Sequence, residues 1–313
     1  MNFWTRLRGA GPQTDDVRAP PYRAPLFLLR PPAEAGIPFT FASPTLAAPV
    51  SQLCTADQFD EPVYRAWCAE LGIPADRHRK FWEWAYILQV LRLENVLASG
   101  KRALGFGTGR EPIPSLLAKY GAAVLATDAP NDVHDQQGWA GTNQHSATLR
   151  DLWHPDIVSE ADFLAQVAFQ TADMNHIPDD LRDFDACWSS CCFEHLGSIE
   201  HGLDFVANSL DCLRPGGIAV HTTEFNLDSN DGTYESLGLS IFRKRDFERL
   251  FVRLRAQGHT VWPLNTHPGF SELDQVIDLP PYQQALPHIK LQVAAVTTTS
   301  IGVVVRKAEN AGG

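Results

Sequence analysis

The residues whose spacing says most about chemistry lie between Arg102 and Pro130, in RALGFGTGREPIPSLLAKYGAAVLATDAP. Gly107 and Gly109 follow a short apolar run, and Asp128 closes a second one. Paired glycines let the backbone turn tightly and approach a ligand with no Cβ in the way. An acidic residue about 20 positions further on is placed to take the hydroxyl pair of a ribose. Between them, Pro112 suits a first helical position, and Ile113, Leu116, Leu117 and Tyr120 recur at helical spacing. Gly121 suits the helix end. The stretch is a nucleoside-binding βαβ unit. It is not a dinucleotide fingerprint, because the third glycine of G-x-G-x-x-G falls on Pro112 in one register and on Arg110 in the other.

What remains resembles motif I of the class I S-adenosylmethionine (SAM)-dependent methyltransferases, acid-x-Gly-x-Gly-x-Gly after a hydrophobic strand. Gly107 and Gly109 match it, Gly105 stands in place of the acid, and Glu111 in place of the last glycine. The family's acid helps to hold the methionine part of SAM. Glu111 therefore either supplies that carboxylate instead or is a first-turn acid favoured by the helix dipole. Other matches follow in order. Asp173 and Met174 end the run FQTADM, where the resemblance implies contacts to the adenine amino group and ring. Phe184 to Ser190 reads as the fourth strand, followed by CCFEHL, and LRPGG precedes a fifth strand at Ile218. The implied SAM-binding set is Gly105, Gly107, Gly109, Glu111, Asp128, Asp173, Met174 and Ser190, with S-adenosylhomocysteine as product.

The acceptor side is read from the same strand ends, where ligands bind in open α/β sheets. His195 is the first candidate for a general base, since a neutral imidazole can take a hydroxyl proton as the methyl arrives; a histidine capping or packing a helix start is the alternative. His221 and Glu224, on opposite faces of the fifth strand, are the other catalytic candidates. Trp82, Asn143, His145 and Asn226 are the candidate substrate contacts. For Trp82 and Trp84 plain core packing is the competing reading, and Lys80 and Glu83 read as a solvated helix face. The polar stretch around Asn143 is either a substrate lid or a surface excursion. Glu194, His195, Glu200 and His201 invite a metal reading, but helical spacing does not bring the four onto one face, and no metal ligand is assigned.

These residues need a scaffold. The expected fold is α/β, a doubly wound, mostly parallel seven-stranded sheet with a reversed last strand, preceded by an N-terminal helical cap. Residues 1–97 are expected to form an arm and cap, 98–308 the methyltransferase domain, and 309–313 a disordered tail. A helix is expected over 77–97 and another, with solvated charges, over 241–257. The insertion at 266–288 is long for a hairpin connection and therefore a candidate functional loop. A 313-residue chain with 44% hydrophobic and 20% charged residues is ordinary for a globular protein. Its net charge of −11 argues against general nucleic-acid binding. The six cysteines form no C-x-x-C pair and read as reduced core thiols. No apolar run is long enough to span a membrane, and the start lacks a signal peptide. A cytoplasmic enzyme is the expectation.

The polar pocket edges favour transfer to a hydroxyl of a sugar or similar secondary metabolite. Two other classes remain: a non-catalytic SAM-binding partner subunit, which the altered motif I would suit, and a nicotinamide-dependent oxidoreductase, which the glycine spacing disfavours.

Overall fold

A computed structural model describes residues 20–130 and 148–309. The chain enters as an irregular arm over 20–50, rich in proline, with no ladder of its own to satisfy its backbone. It is fixed instead by side chains from the C-terminal half. Lys244 Nζ donates to the carbonyls of Phe27 (2.9 Å) and Pro31 (3.4 Å), and Thr266 Oγ1 to that of Leu28 (2.7 Å). Ser51–Gln52 then pairs in parallel with Leu264–Asn265.

Helices α1 (Pro62–Leu71) and α2 (Arg79–Leu93) follow. α2 begins two residues later than expected because His78 caps it, its Nδ1 accepting from Lys80 N–H at 3.1 Å. Phe81 through Leu91 are all buried, so α2 is an interior helix, packed on α1 and on the sheet. This corrects the solvated reading of Glu83, which is 1% exposed.

The sheet strands are β1 (Arg102–Phe106), β2 (Ala123–Asp128), β3 (Val167–Thr171), β4 (Phe184–Ser190), β5 (Leu213–Asn226), β6 (Thr260–Val261), β7 (Leu291–Val293) and β8 (Val296–Arg306). They lie in the order β7–β8–β5–β4–β1–β2–β3, with β6 also on β8. The first five are mutually parallel, and β8 runs antiparallel to β5, β6 and β7. The doubly wound sheet with a reversed strand is thus present, with eight strands in seven positions because β6 and β7 share the last one. Strand order reverses between β1 and β4, which is where such sheets bind ligands. Helices α3 (Ile113–Lys119) and α4 (Glu160–Gln166) cover one face with α1 and α2; α5 (Ile199–Ser209) and α6 (Lys244–Ala256) cover the other with the arm.

Two local expectations change. Arg214–Gly217 does not precede β5 but lies inside it, as an irregularity where the register with β4 shifts between Phe184 and Ala186. The charges of α6 are not all solvated: Lys244, Asp246 and Glu248 are buried, and Lys244 anchors the arm. Among the described residues, no helix is long and apolar enough to cross a membrane.

Candidate active site

The turn after β1 is closely packed. Gly107 has φ +56°, and a Cβ there would stand 2.9 Å from Cys192 Sγ and 3.5 Å from Met174 Sδ. The ends of β1, β3 and β4 therefore converge on this glycine, and Gly109 continues the turn at φ +51°. Asp128, 3% exposed, ends β2, its Oδ1 accepting from Ala129 N–H at 2.9 Å. Asp173 lies two residues past β3 and caps a turn, accepting from Asn175 N–H and pairing with His176 at 2.8 Å. A glycine cradle, a buried carboxylate at the β2 end and the apolar Met174 beside them fit an adenosine moiety. Gly107, Gly109, Asp128 and Met174 are the residues that would hold it.

The departures from motif I have a common cause in space. A Cβ on Gly105 would sit 2.5 Å from Trp188 Cζ2 on β4 and 2.5 Å from Thr108 Cγ2. The indole occupies the room an acid at 105 would need, and its Nε1 donates to Glu111 Oε1 at 2.6 Å. Glu111 precedes the Pro112 cap of α3, so it is not a first-turn residue. Glu111 is 6% exposed. Burial, with the nearby Glu83 and Asp128, pushes its pKa up to about 8, against the Trp188 hydrogen bond and Lys80. Gly105→Ala is expected to lower stability by about 1–3 kcal/mol through overpacking. Gly105→Asp should cost more, and Trp188→Ala should restore part of it. A Gly105→Asp variant that melts with the wild type would contradict this packing.

A second cluster sits where β4, β5 and α2 meet. Lys80 Nζ donates to Ser190 O (2.9 Å) and Oγ (3.0 Å) and pairs with Glu83 at 3.3 Å. Glu83 also accepts from Ser190 Oγ, Cys191 Sγ and Thr222 Oγ1, and Ser300 Oγ donates to it. Burial works against both charges, but the pair outweighs it: Glu83 is held below the carboxylate range and Lys80 above the ammonium range. Arg79 meets both oxygens of Glu224 in a bidentate pair. Glu194, raised by burial and by Glu224, accepts from Thr223 Oγ1 at 2.8 Å. Ligand atoms of Cys191, Glu194 and Glu224 lie within 4.8 Å of one another. Glu224 is committed to Arg79, however, and the protein's own cation compensates the cluster.

The remaining sequence candidates are placed as follows. His221 has 0% exposure, between Ser189 Oγ (2.8 Å) and Ser209 Oγ (3.1 Å), and burial pulls its pKa down to about 3. It is enclosed on the α5 side of the sheet. His195 Nδ1 donates to Gly238 O at 2.7 Å, beside Glu194. Glu200 pairs with Arg249, and His201 donates to Leu196 O, so neither joins Glu194. Trp82 is a core residue, its Nε1 donating to Gln58 Oε1 at 2.8 Å and its ring stacked on Tyr86. Both ends of the Asn226 amide are used within the loop it starts: Nδ2 donates to Gly232 O and Thr233 Oγ1, and Oδ1 accepts from Asp228 and Ser229. Asn143 and His145 lie outside the described residues.

Beside motif I lies a cavity of ≈ 720 Å³ between the start of α2, residues 151–157 and residues 282–288. Arg110 and Pro112 form part of its wall. Five rings follow one another along another part. Trp84 and Phe81 are 5.7 Å apart by centroid, Phe81 and His78 5.2 Å, His78 and His288 4.4 Å, and His288 and Tyr282 5.0 Å. Asp76, Asp156, Gln283 and Gln284 supply polar groups. The sequence offers Trp84 and the 266–288 insertion only singly, and nothing local pairs residue 78 with residue 288.

Residues 104–221 match the family model described as Methyltransferase domain, which spans β1 to the middle of β5. A search of curated proteins finds no match. Among solved structures, the chain is similar to a putative sarcosine dimethylglycine methyltransferase from Galdieria sulphuraria: 14% identity, 72% of this chain, 85% of that one, TM-score 0.43. A TehB-like SAM-dependent methyltransferase from Corynebacterium glutamicum gives 20% identity, 78% and 94% coverage, and TM-score 0.38. Phosphoethanolamine N-methyltransferase 2 from Haemonchus contortus, in complex with SAM, gives 14% identity, 72% and 53% coverage, and TM-score 0.44. The family match falls on the same βαβ unit, strand ends and strand order that the geometry singles out, and residues 104–221 form a SAM-dependent methyltransferase domain.

Proposed function

We propose that the protein transfers the methyl group of SAM to a hydroxyl of a polar small molecule, a sugar or comparable polyol, with residues 1–97 capping a methyltransferase domain at 98–308. When bound, SAM supplies an electrophilic methyl on a sulfonium sulfur. The residues of the chain align an acceptor with it and dispose of the acceptor's proton.

The cavity beside motif I carries this reading. Its volume of ≈ 720 Å³ suits a small-molecule ligand. Ring faces such as Phe81 and Tyr282 can lie against the C–H faces of a sugar, and the neighbouring carboxylates and amides can pair with its hydroxyls. Asp151 is paired with Arg110 at 3.3 Å, while Asp76 and Asp156 remain as carboxylates of the lining. Arg110 directly follows Gly109, so an acceptor in the cavity lies next to the nucleoside site.

The test is transfer of label from methyl-labelled SAM to a panel of methyl glycosides, myo-inositol and, for comparison, primary and secondary amines. O-methyl ethers are the expected products. Transfer to amines alone would overturn the acceptor class. S-adenosylhomocysteine binding without transfer to any acceptor would favour a non-catalytic SAM-binding subunit.

A further inference from the structure

The 266–288 connection ends where it docks on α2. Arg79 N–H donates to His288 O at 2.9 Å, and His288 N–H to Arg77 O at 2.8 Å. This pairing lays the His288 ring on that of His78, with centroids 4.4 Å apart and planes inclined by 30°. The two imidazoles are not equivalent. His78 Nδ1 accepts the Lys80 N–H bond that caps α2, so the proton of the neutral ring belongs on Nε2. His288 Nδ1 instead faces Asp278 Oδ2 at 2.8 Å. Asp278 has 0% exposure, and its Oδ1 accepts from Gln283 N–H at 3.1 Å. A carboxylate in that place puts the His288 proton on Nδ1 and leaves Nε2 as the basic nitrogen. It also stabilises the imidazolium, whereas protonating His78 at Nδ1 would break a helix cap. Of the two rings, His288 is therefore the one whose Nε2 is placed to take up a proton.

Both rings wall the cavity beside motif I. Among the described residues, the charged and titratable groups facing His288 include Asp278 and Tyr282 from its own connection, Lys290 turned to Asp274, Asp76, His78 and Arg79 from the approach to α2, and Arg110, Asp151, His154 and Asp156 across the cavity. Arg79 is already paired with Glu224. Asp278 is therefore the carboxylate bonded directly to the imidazole.

We propose that His288 is the general base of the methyl transfer, with Asp278 as the residue that positions and tautomerises it. The assignment rests on the hydroxyl-acceptor reading above. A lone pair of the acceptor oxygen forms the O–CH₃ bond as the sulfonium C–S bond breaks, and that bond's electron pair stays on sulfur. The O–H proton passes to His288 Nε2, Asp278 balances the imidazolium, and the ring later releases the proton to water. No further reactant is needed.

The test has two independent arms. In the first, protein labelled with ¹⁵N-histidine and saturated with S-adenosylhomocysteine is titrated by NMR. His288 is expected as the Nδ1–H tautomer when neutral, a preference that Asp278→Asn should abolish. Asp278→Glu should keep the tautomer, which covers the case in which Asp278→Asn fails to fold. An Nε2–H tautomer in the wild type overturns the dyad, whether or not an acceptor is known. In the second arm, the methyl glycosides and myo-inositol of the transfer panel are run with His288→Gln. kcat should fall roughly 10²–10⁴-fold with little change in S-adenosylhomocysteine affinity. The low-pH limb of the wild-type rate should move to lower pH in Asp278→Asn. A His288→Gln enzyme that keeps the wild-type kcat overturns the base assignment. If the wild type methylates no hydroxyl, the acceptor reading and the base assignment both fall, while the NMR arm still reports whether the dyad exists.

Discussion

Arg79→Met is expected to cost about 3–5 kcal/mol of stability, most of which a second change, Glu224→Gln, restores. The guanidinium forks onto both carboxylate oxygens of Glu224 at the end of β5, with side chains only 13% and 8% exposed. Taking away the cation leaves a carboxylate buried beside Glu194, whose own pKa Glu224 already helps to raise. The cost is that of an uncompensated buried charge, not of one contact. Removing both charges leaves a neutral amide among polar neighbours, so the double variant should stand close to the wild type. Urea denaturation at neutral pH measures all three. An Arg79→Met protein within about 1 kcal/mol of the wild type would mean that the pair behaves as a solvated surface bridge.

Glu111→Gln is expected to change how stability depends on pH. In the unfolded chain this carboxyl titrates near 4.5; in the folded protein burial holds it protonated up to about 8. Between those values the folded state binds a proton that the unfolded state has released. Stability therefore falls as pH rises through that window, by up to roughly 5 kcal/mol if the whole shift is expressed. Glutamine removes the slope, so the variant should match the wild type near pH 4.5 and exceed it at pH 8. Other shifted groups such as Glu194 and His154 titrate in both proteins, and the difference isolates Glu111. A wild-type-minus-variant difference that stays constant over the window would show an ionised, solvated carboxyl. If Glu111 receives the ammonium of SAM, the cation pulls its pKa down on binding. Calorimetry near pH 7 in buffers of different ionisation enthalpy should then show proton release that Glu111→Gln lacks.

What was legible in the sequence was local. Gly107, Gly109, α3 and Asp128 are neighbours in one βαβ unit, where turn chemistry and periodicity act over a few residues. The doubly wound sheet with a reversed strand is what the resemblance carried by the ordered set of motifs implies. What was not legible depends on contacts across the chain. Trp188 fills the space at Gly105 from another strand, so the glycine in place of the acid is half of a packing exchange that no local pattern reveals. Lys80 and Glu83 read as a wet helix face because nothing local tells that α2 is surrounded. Alternation placed His221 and Glu224 on opposite faces of β5 correctly. It could not say that one face meets Ser189 and Ser209 and the other meets Arg79. The stack of His78 on His288 needs a bridge between segments far apart in sequence.

The most direct test of the nucleoside site is calorimetric titration of the protein with S-adenosylhomocysteine, repeated with Asp128→Ala. Micromolar binding by the wild type is expected, lost in the variant while its fold is retained. Binding that survives in Asp128→Ala, or a wild type that does not bind at all, would contradict the placement of the nucleoside between the Gly107 turn and the end of β2.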